Sequence, residues 1–267
     1  LDAIYGQSRP DWSRQIAYEA RRDDLDPEAV SFACGKFVAK FSGSQPTLET
    51  LSEDDLLRKL GLIIHDHITN AALVLLGKPE SSAFLGGSGP QITWTLYDSM
   101  GKTIAYEHFE PPFILQVDRV LGKIRNEKFR YFDRDDTLFP TEGYRYTPEI
   151  IRELLHNAIA HQDYRLSGKI NVLEFEDRLV FKNEGSFIPG DVSVALESGY
   201  KPPYYRNDTL TKAMSKTGMI DQNAIGIRNV FDIQRKRLLP MPTYDLKEPN
   251  RVSVTVYGRV LNEDYSR

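Results

Sequence analysis

Three polar side chains recur at four-residue intervals near the middle of the chain: Glu153, Asn157 and His161. Residues four apart are neighbours on an α-helix, so the three form a stripe. On the same wheel Ile150, Ile151, Leu154, Leu155, Ala158 and Ile159 make one wide apolar face. Two readings follow. The stripe is the polar margin of an amphipathic helix, where Glu and Asn are common, or it faces a ligand. In the second case a carboxylate orients and deprotonates a water. An amide oxygen one turn later then holds a hard cation such as magnesium, which prefers oxygen ligands. That pairing suits phosphoanhydride or phosphate-ester chemistry, where positioning and charge neutralisation do most of the work.

The helix needs a start and a setting. Thr147-Pro148-Glu149 supplies a capping side chain, a proline at the first helical position and an early acid. KINVLEFEDRLVFKNEG follows as two strands joined near Glu176-Asp177 and ends in Asn183-Glu184-Gly185. Beyond Pro189-Gly190 the pattern predicts a short helix, the loop GYKPPYYRND, helices over TLTKAMSKTG and AIGIRNVFDIQRKR, and a closing strand RVSVTVYGRV. Upstream, residues 11–40 read as helical in two pieces, WSRQIAYEARRDDL and then DPEAVSFACGKFVAKF with Asp26 as cap. Ser52 caps another helix. ITNAALVLLG fits a buried helix or strand, and periodicity does not decide. GKPESSAFLGGSGP reads as a flexible loop, QITWTLYDSMGKTIAYEHFE as a hairpin, FILQVDRVLGKIRN as a helix and KFRYFDRDDTLFPT as strand. The fold class expected is α+β. It is a mixed, largely antiparallel sheet with helices on one face, preceded by a mostly helical N-terminal region.

Bulk composition narrows the function classes. At 267 residues, 40% hydrophobic and 27% charged, the chain can form one large or two ordinary globular domains. A net charge of -4 argues against a surface coated in positive charge for nucleic acid. Cys34 is the only cysteine, so no internal disulfide forms, and a buried thiol in a cytoplasmic protein is the expectation. No apolar run reaches the ~18 residues that span a bilayer. The chain starts without Met, so a piece of something longer is expected. His65 and His67 alternate but lack a third ligand, and Gly86-Gly87-Ser88-Gly89 lacks the G-K-[ST] ending of a phosphate loop.

The residues Glu153-x-x-x-Asn157 followed by AIAHQDY resemble the N-box of the GHKL ATPases, which include gyrase and histidine kinases. They are most similar to one branch, the predicted transcriptional regulators and RecG-like proteins that carry a Schlafen/AlbA-type domain. LRKLGLI, ITNAALVLLGKPE, EDRLVFKNEGSFIPGD, YRNDTLTKAMSKTGMID and AIGIRNVF resemble that branch in the same order, over roughly 52–260. The resemblance implies that residues 1–48 are the end of a Schlafen/AlbA-type domain, 49–90 a helical connector and 91–267 a GHKL ATPase-like domain. It implies an ATP-binding module that hydrolyses or senses ATP with magnesium. Glu153 would be the general base and Asn157 the magnesium ligand. His161, Asn183, Gly185, Ala224, Gly226 and Ile227 would join Asn157 in binding nucleotide. Nucleic acid would be reached through neighbouring domains, a homodimer stays open, and no membrane is involved.

The match has departures, which favour a second reading: a degenerate scaffold or dimerisation domain without turnover. Asn183 stands where many relatives have Asp, and an amide can present its NH₂ instead of its oxygen. Ala224 replaces a glycine of the G-x-G-I segment. Gln162 follows His161 where the branch has Arg. Outside the stripe, Tyr164 is expected to pack on the sheet. Arg206-Asn207 fits either the family's pair or a helix-entry cap, and Gln234–Arg237 fits a helix C-terminus.

Overall fold

The structure is a computed structural model that describes residues 11–86, 89–131, 141–220 and 226–258. Its N-terminal part is helical, as expected. Helix α1 (Pro27–Phe41) begins where Asp26 accepts from the Ala29 amide, and α2 (Glu53–Leu60) where Ser52 accepts from Asp55. A tight hairpin of β1 (Ile63–Ile64) and β2 (His67–Ile68) leads into α3 (Asn70–Leu76), every residue of which is buried. That settles ITNAALVLLG as helix, capped by Thr69.

Two expectations here are corrected. WSRQIAYEARRDDL is not an α-helix but two 3₁₀ turns, Trp12–Arg14 and Arg22–Asp24, on an extended chain. The Ala17 amide donates to the Ile68 carbonyl at 2.9 Å and the Asn70 amide to Gln15 at 2.9 Å. Pairing with the β2–α3 corner satisfies this backbone, so tertiary hydrogen bonds override helix propensity. Pro79–Leu85 in the expected flexible loop is a 3₁₀ turn, held by Ser81 donating to the Asp24 carbonyl at 2.7 Å.

The C-terminal part is built on a sheet. Strands β3 (Ile92–Tyr97) and β4 (Thr103–Phe109) form the expected hairpin. Helix α4 (Phe113–Lys123), the hairpin β5 (Lys128–Tyr131) with β6 (Thr141–Tyr144), and helix α5 (Pro148–His161) come next. Strands β7 (Ile170–Glu174) and β8 (Arg178–Glu184) are followed by the helices α6 (Val192–Leu196), α7 (Asp208–Lys216) and α8 (Gly226–Lys236). Strands β9 (Thr243–Asp245) and β10 (Arg251–Tyr257) close the described chain.

Six strands form one sheet in the order β4-β3-β7-β8-β10-β9. Only the β3–β7 pair is parallel, because α4, β5–β6 and α5 cross over between them. Alternation decides which face is covered. Trp94, Val172, Phe181 and Val254 lie in register across four strands and are all buried. Their neighbours Thr95, Leu173, Lys182 and Ser253 point the other way and are partly exposed. The protein is thus α+β, a mixed sheet with helices on one face behind a helical N-terminal region.

Helix α5 lies on that covered face against β7 and β8. Thr147 caps it, accepting from the Ile150 amide. Ile150, Ile151, Leu154, Leu155, Ala158 and Ile159 are buried, as the wheel predicts. Each large aliphatic side chain stabilises the seat by about 2 kcal/mol relative to exposure. Glu153 and Asn157 stay half-buried on the margin.

His156, on the same helix, is buried and neither ring nitrogen has a hydrogen-bond partner among the described residues. Burial pushes its pKa down to about 4; the Met219 backbone opposes this without reaching hydrogen-bond geometry, and Arg152 adds to it. The folded protein therefore keeps a neutral imidazole where the unfolded chain takes up a proton. Stability is complete above the unfolded value near 6.5 and falls as pH drops toward 4, by up to roughly 3 kcal/mol for this group. Denaturant melts at pH 7.5 and 4.5 check this: His156→Leu is expected to lose less stability than wild type between the two. Equal losses would remove His156 from the acid response.

Candidate functional site

The half-buried edge of α5 opens on a cavity of about 580 Å³. Its walls are the end of β8, the 186–205 connection, α7, the start of α8 and Tyr244 of β9. Glu153, Asn157 and His161 all line it, so the stripe faces the hollow rather than bulk solvent. The Asn157 amide nitrogen donates to Glu153 Oε1 at 2.7 Å, which leaves the Asn157 carbonyl oxygen turned away from the carboxylate. Glu153 Oε1 in turn rests on the first residue of α8. A Cβ built on Gly226 would lie 1.6 Å from it, so only glycine admits the carboxylate there.

The other predicted residues fall into place around this pair. Asn183 lines the cavity one strand away and is buried. Its NH₂ donates to the Glu184 carbonyl at 3.2 Å, so the amide oxygen is the end left for the cavity. Gly226 and Ile227 are on the wall, whereas Ala224 lies outside the described residues. Gly185 is not on the wall. Its φ of +119° and missing Cβ let the Arg206 guanidinium approach, since a Cβ would sit 2.4 Å from Arg206 Nη1. His161 stacks on Tyr205 with ring centroids 6.4 Å apart. Burial, and then the Arg206 charge, push its pKa down to about 4, so the imidazole is neutral near pH 7.

Arg206 and Asn207 have a clear structural task. Arg206 Nη1 donates to the His161 carbonyl at 2.6 Å and Nη2 to the Ser186 carbonyl at 3.0 Å. Asn207 donates to the carbonyls of Ala160 and Gln162 at 3.0 and 2.8 Å. The pair thus satisfies the orphan carbonyls at the C-terminus of α5, where a cation is also favoured. Asn207 does not cap α7 with its side chain. Gln162 is buried and bridges the Gly168 carbonyl to the Glu184 amide, tying the end of α5 to β8. Tyr164, expected on the sheet, instead stacks on Trp12 at 4.9 Å and donates to the Ile159 carbonyl at 2.9 Å. At the end of α8, Gln234 is buried and Arg237 donates to the carbonyls of Tyr144 and Arg145, so that cluster closes a helix onto β6.

Several wall residues were not singled out in the sequence. Arg228, in the first turn of α8, makes no hydrogen bond or ion pair among the described residues, and its Nε is buried without a partner. Among the described residues, the hydroxyl of buried Thr211 of α7 has no partner, and neither has the Tyr200 hydroxyl. Lys212 reaches the wall while paired to Asp208 at 2.6 Å. Burial, and then the Glu153 charge, push the Tyr244 hydroxyl up, so it stays a donor. Arg228 was within the AIGIRNVF stretch, but nothing local marked its direction. Three polar groups around one cavity, unpaired among the described residues, are costly unless something else completes them.

A divalent cation would fit this donor set in one manner only. Among the described residues there is no group of three or more His, Cys, Asp and Glu side chains that could hold a metal. One amide oxygen suits a magnesium ion that keeps its waters and binds mainly through phosphate. No described helix is long and apolar enough to cross a membrane.

Known proteins match in two stretches. Residues 168–256 match the family described as putative ATP-dependent DNA helicase recG C-terminal. Residues 2–85 match a domain of unknown function. No curated protein matches. Among solved structures, the DIP2311 protein from Corynebacterium diphtheriae has the same fold, with a TM-score of 0.72 at 19% identity. That likeness covers 97% of this chain and 50% of that one, so the chain spans half the length of that protein. The first match takes in Asn183, Gly185, Ala224, Gly226 and Ile227 and begins after Glu153 and Asn157. By family match as well as by motif, the C-terminal part of the chain resembles the GHKL-type, RecG-like ATPase domains.

Proposed function

We propose that the chain is an ATP-binding module of GHKL type, working with magnesium in a transcriptional regulator or DNA-associated ATPase. The observation that carries this is the convergence on one nucleotide-sized cavity of Glu153, Asn157, Asn183 and the unpaired Arg228 and Thr211. Asn183 offers an acceptor for the adenine amino group. Arg228, at the N-terminus of α8, offers a cation for phosphate where the helix dipole also favours negative charge. Asn157 presents an oxygen for magnesium, which when bound neutralises charge on the phosphates. Glu153 orients and deprotonates the attacking water, and its hydrogen bond from Asn157 holds it there. Residues 91–267 form this module in the proposed division, with 1–48 as the end of a Schlafen/AlbA-type domain and 49–90 as connector. DNA is contacted by other domains.

Calorimetric titration with ATP and magnesium tests the reading. Wild type is expected to bind, and Asn157→Ala to lose about tenfold or more in affinity that depends on magnesium. Absence of heat from wild type would leave the scaffold reading instead.

A further inference from the structure

Helix α7 forms one wall of the cavity through Asp208, Thr211 and Lys212, yet its N-terminus is not capped from its own neighbourhood. The capping groups come from nearly two hundred residues away. Asp11 Oδ2 accepts from the Thr209 amide at 2.9 Å and from the Thr209 hydroxyl at 2.7 Å. Ser13 Oγ accepts from the Leu210 amide at 3.1 Å. The two are locked to each other, since Asp11 Oδ1 accepts from both the amide and hydroxyl of Ser13. Between them Trp12 stacks on Tyr164, whose hydroxyl is bonded to the last turn of α5. One 3₁₀ turn therefore grips both α5, which carries Glu153 and Asn157, and α7, which carries Thr211. The other end of α7 is also held from the N-terminal part, by Lys40 donating to the Ser215 carbonyl at 2.7 Å.

We propose that Asp11, Trp12 and Ser13 are positioning residues for the nucleotide cavity, setting the distance between its α5 and α7 walls from the N-terminal part of the chain. The inference rests on the ATP-binding reading. The physical reason is that α7 is a short helix with few hydrogen bonds of its own. Buried Leu210, Ala213 and Met214 seat it, and the groups that take its first amides fix where its N-terminal end lies on that seat. A change in the N-terminal part that moves Asp11 moves Thr211 and Lys212 with it, so the state of that part reaches the cavity without touching the ligand.

The experiment titrates the full chain with ATP and magnesium as wild type, Asp11→Ala, Asp11→Asn, Thr211→Val and the Asp11→Ala/Thr211→Val double variant, with thermal melting of each. The expected result is about a tenfold loss of affinity for Asp11→Ala, as outer supports of a site typically command. Asn keeps one acceptor oxygen for the Thr209 amide and hydroxyl but sets an NH₂ where Oδ1 accepts from Ser13, so Asp11→Asn is expected to recover part of the affinity that Asp11→Ala loses. The double variant is expected to lose less than the sum of the two single changes, because both act through one wall. Additive losses, or equal weakening by Ala and Asn, would overturn the proposal. So would wild-type affinity in Asp11→Ala. Should Asp11→Ala fail to fold, Ser13→Ala replaces it under the same criteria. A wild type that does not bind ATP overturns the nucleotide reading itself, which the variants do not test.

Discussion

Glu153→Gln is expected to cut ATP hydrolysis by about 10²- to 10⁴-fold, the usual contribution of a positioned general base, while ATP affinity changes little. The two effects separate because of what glutamine keeps. Its side-chain oxygen can still accept the 2.7 Å hydrogen bond from Asn157, so the amide oxygen of Asn157 keeps its orientation. What is lost is the ability to take a proton from water. Phosphate release measures the first quantity and calorimetry the second. Turnover equal to wild type would show that Glu153 only packs against α8, as a margin residue would. A matching loss of affinity would show that the carboxylate organises the cavity rather than reacting in it.

Gly226→Ala is expected to weaken ATP binding by about 10- to 100-fold and to reduce hydrolysis further. A Cβ at that position lies 1.6 Å from Glu153 Oε1 and 2.4 Å from its Cδ, well inside any contact distance. Either the carboxylate swings away or the first turn of α8 lifts. The first breaks the bond to Asn157, and the second displaces Arg228 from the wall. The clash falls on the flexible end of Glu153, so what is lost is its charged hydrogen bond with Asn157, about 1.5–3 kcal/mol, which corresponds to the expected range. Gly122→Ala is the matched control. It sits in helix α4 with nothing within 4 Å of its added Cβ, so the same chemical change should leave binding as it is. If the two variants bind ATP equally well, the contact between Glu153 and α8 does not shape the site.

Much of the site was legible along the chain because its first ingredients are local. Glu153 and Asn157 are one turn apart, and a capped helix with one apolar face puts such a pair on a common margin wherever it packs. The caps at Asp26, Ser52 and Thr147 were visible for the same reason: each closes a hydrogen bond within its own first turn. The hairpins β3–β4 and β7–β8 also announce themselves, since alternation and turn residues lie within one stretch. A motif resemblance added the order of the parts, and the family match over 168–256 agrees with it.

What the sequence by itself determined, then, is the fold class, the capped helices and hairpins of the C-terminal part, and the pairing of a carboxylate with an amide on one helix edge. Only the tertiary structure decided that this edge faces a cavity, that Arg228 and Thr211 line it without partners among the described residues, and that Asp11 caps a helix begun at residue 208. It also turned 12–24 from predicted helix into 3₁₀ turns and set Tyr164 on Trp12 instead of the sheet. The physical reason is the same in each case. A bond closed within one turn is written in neighbouring residues, whereas partners nearly two hundred positions apart meet only when the two parts of the chain pack together.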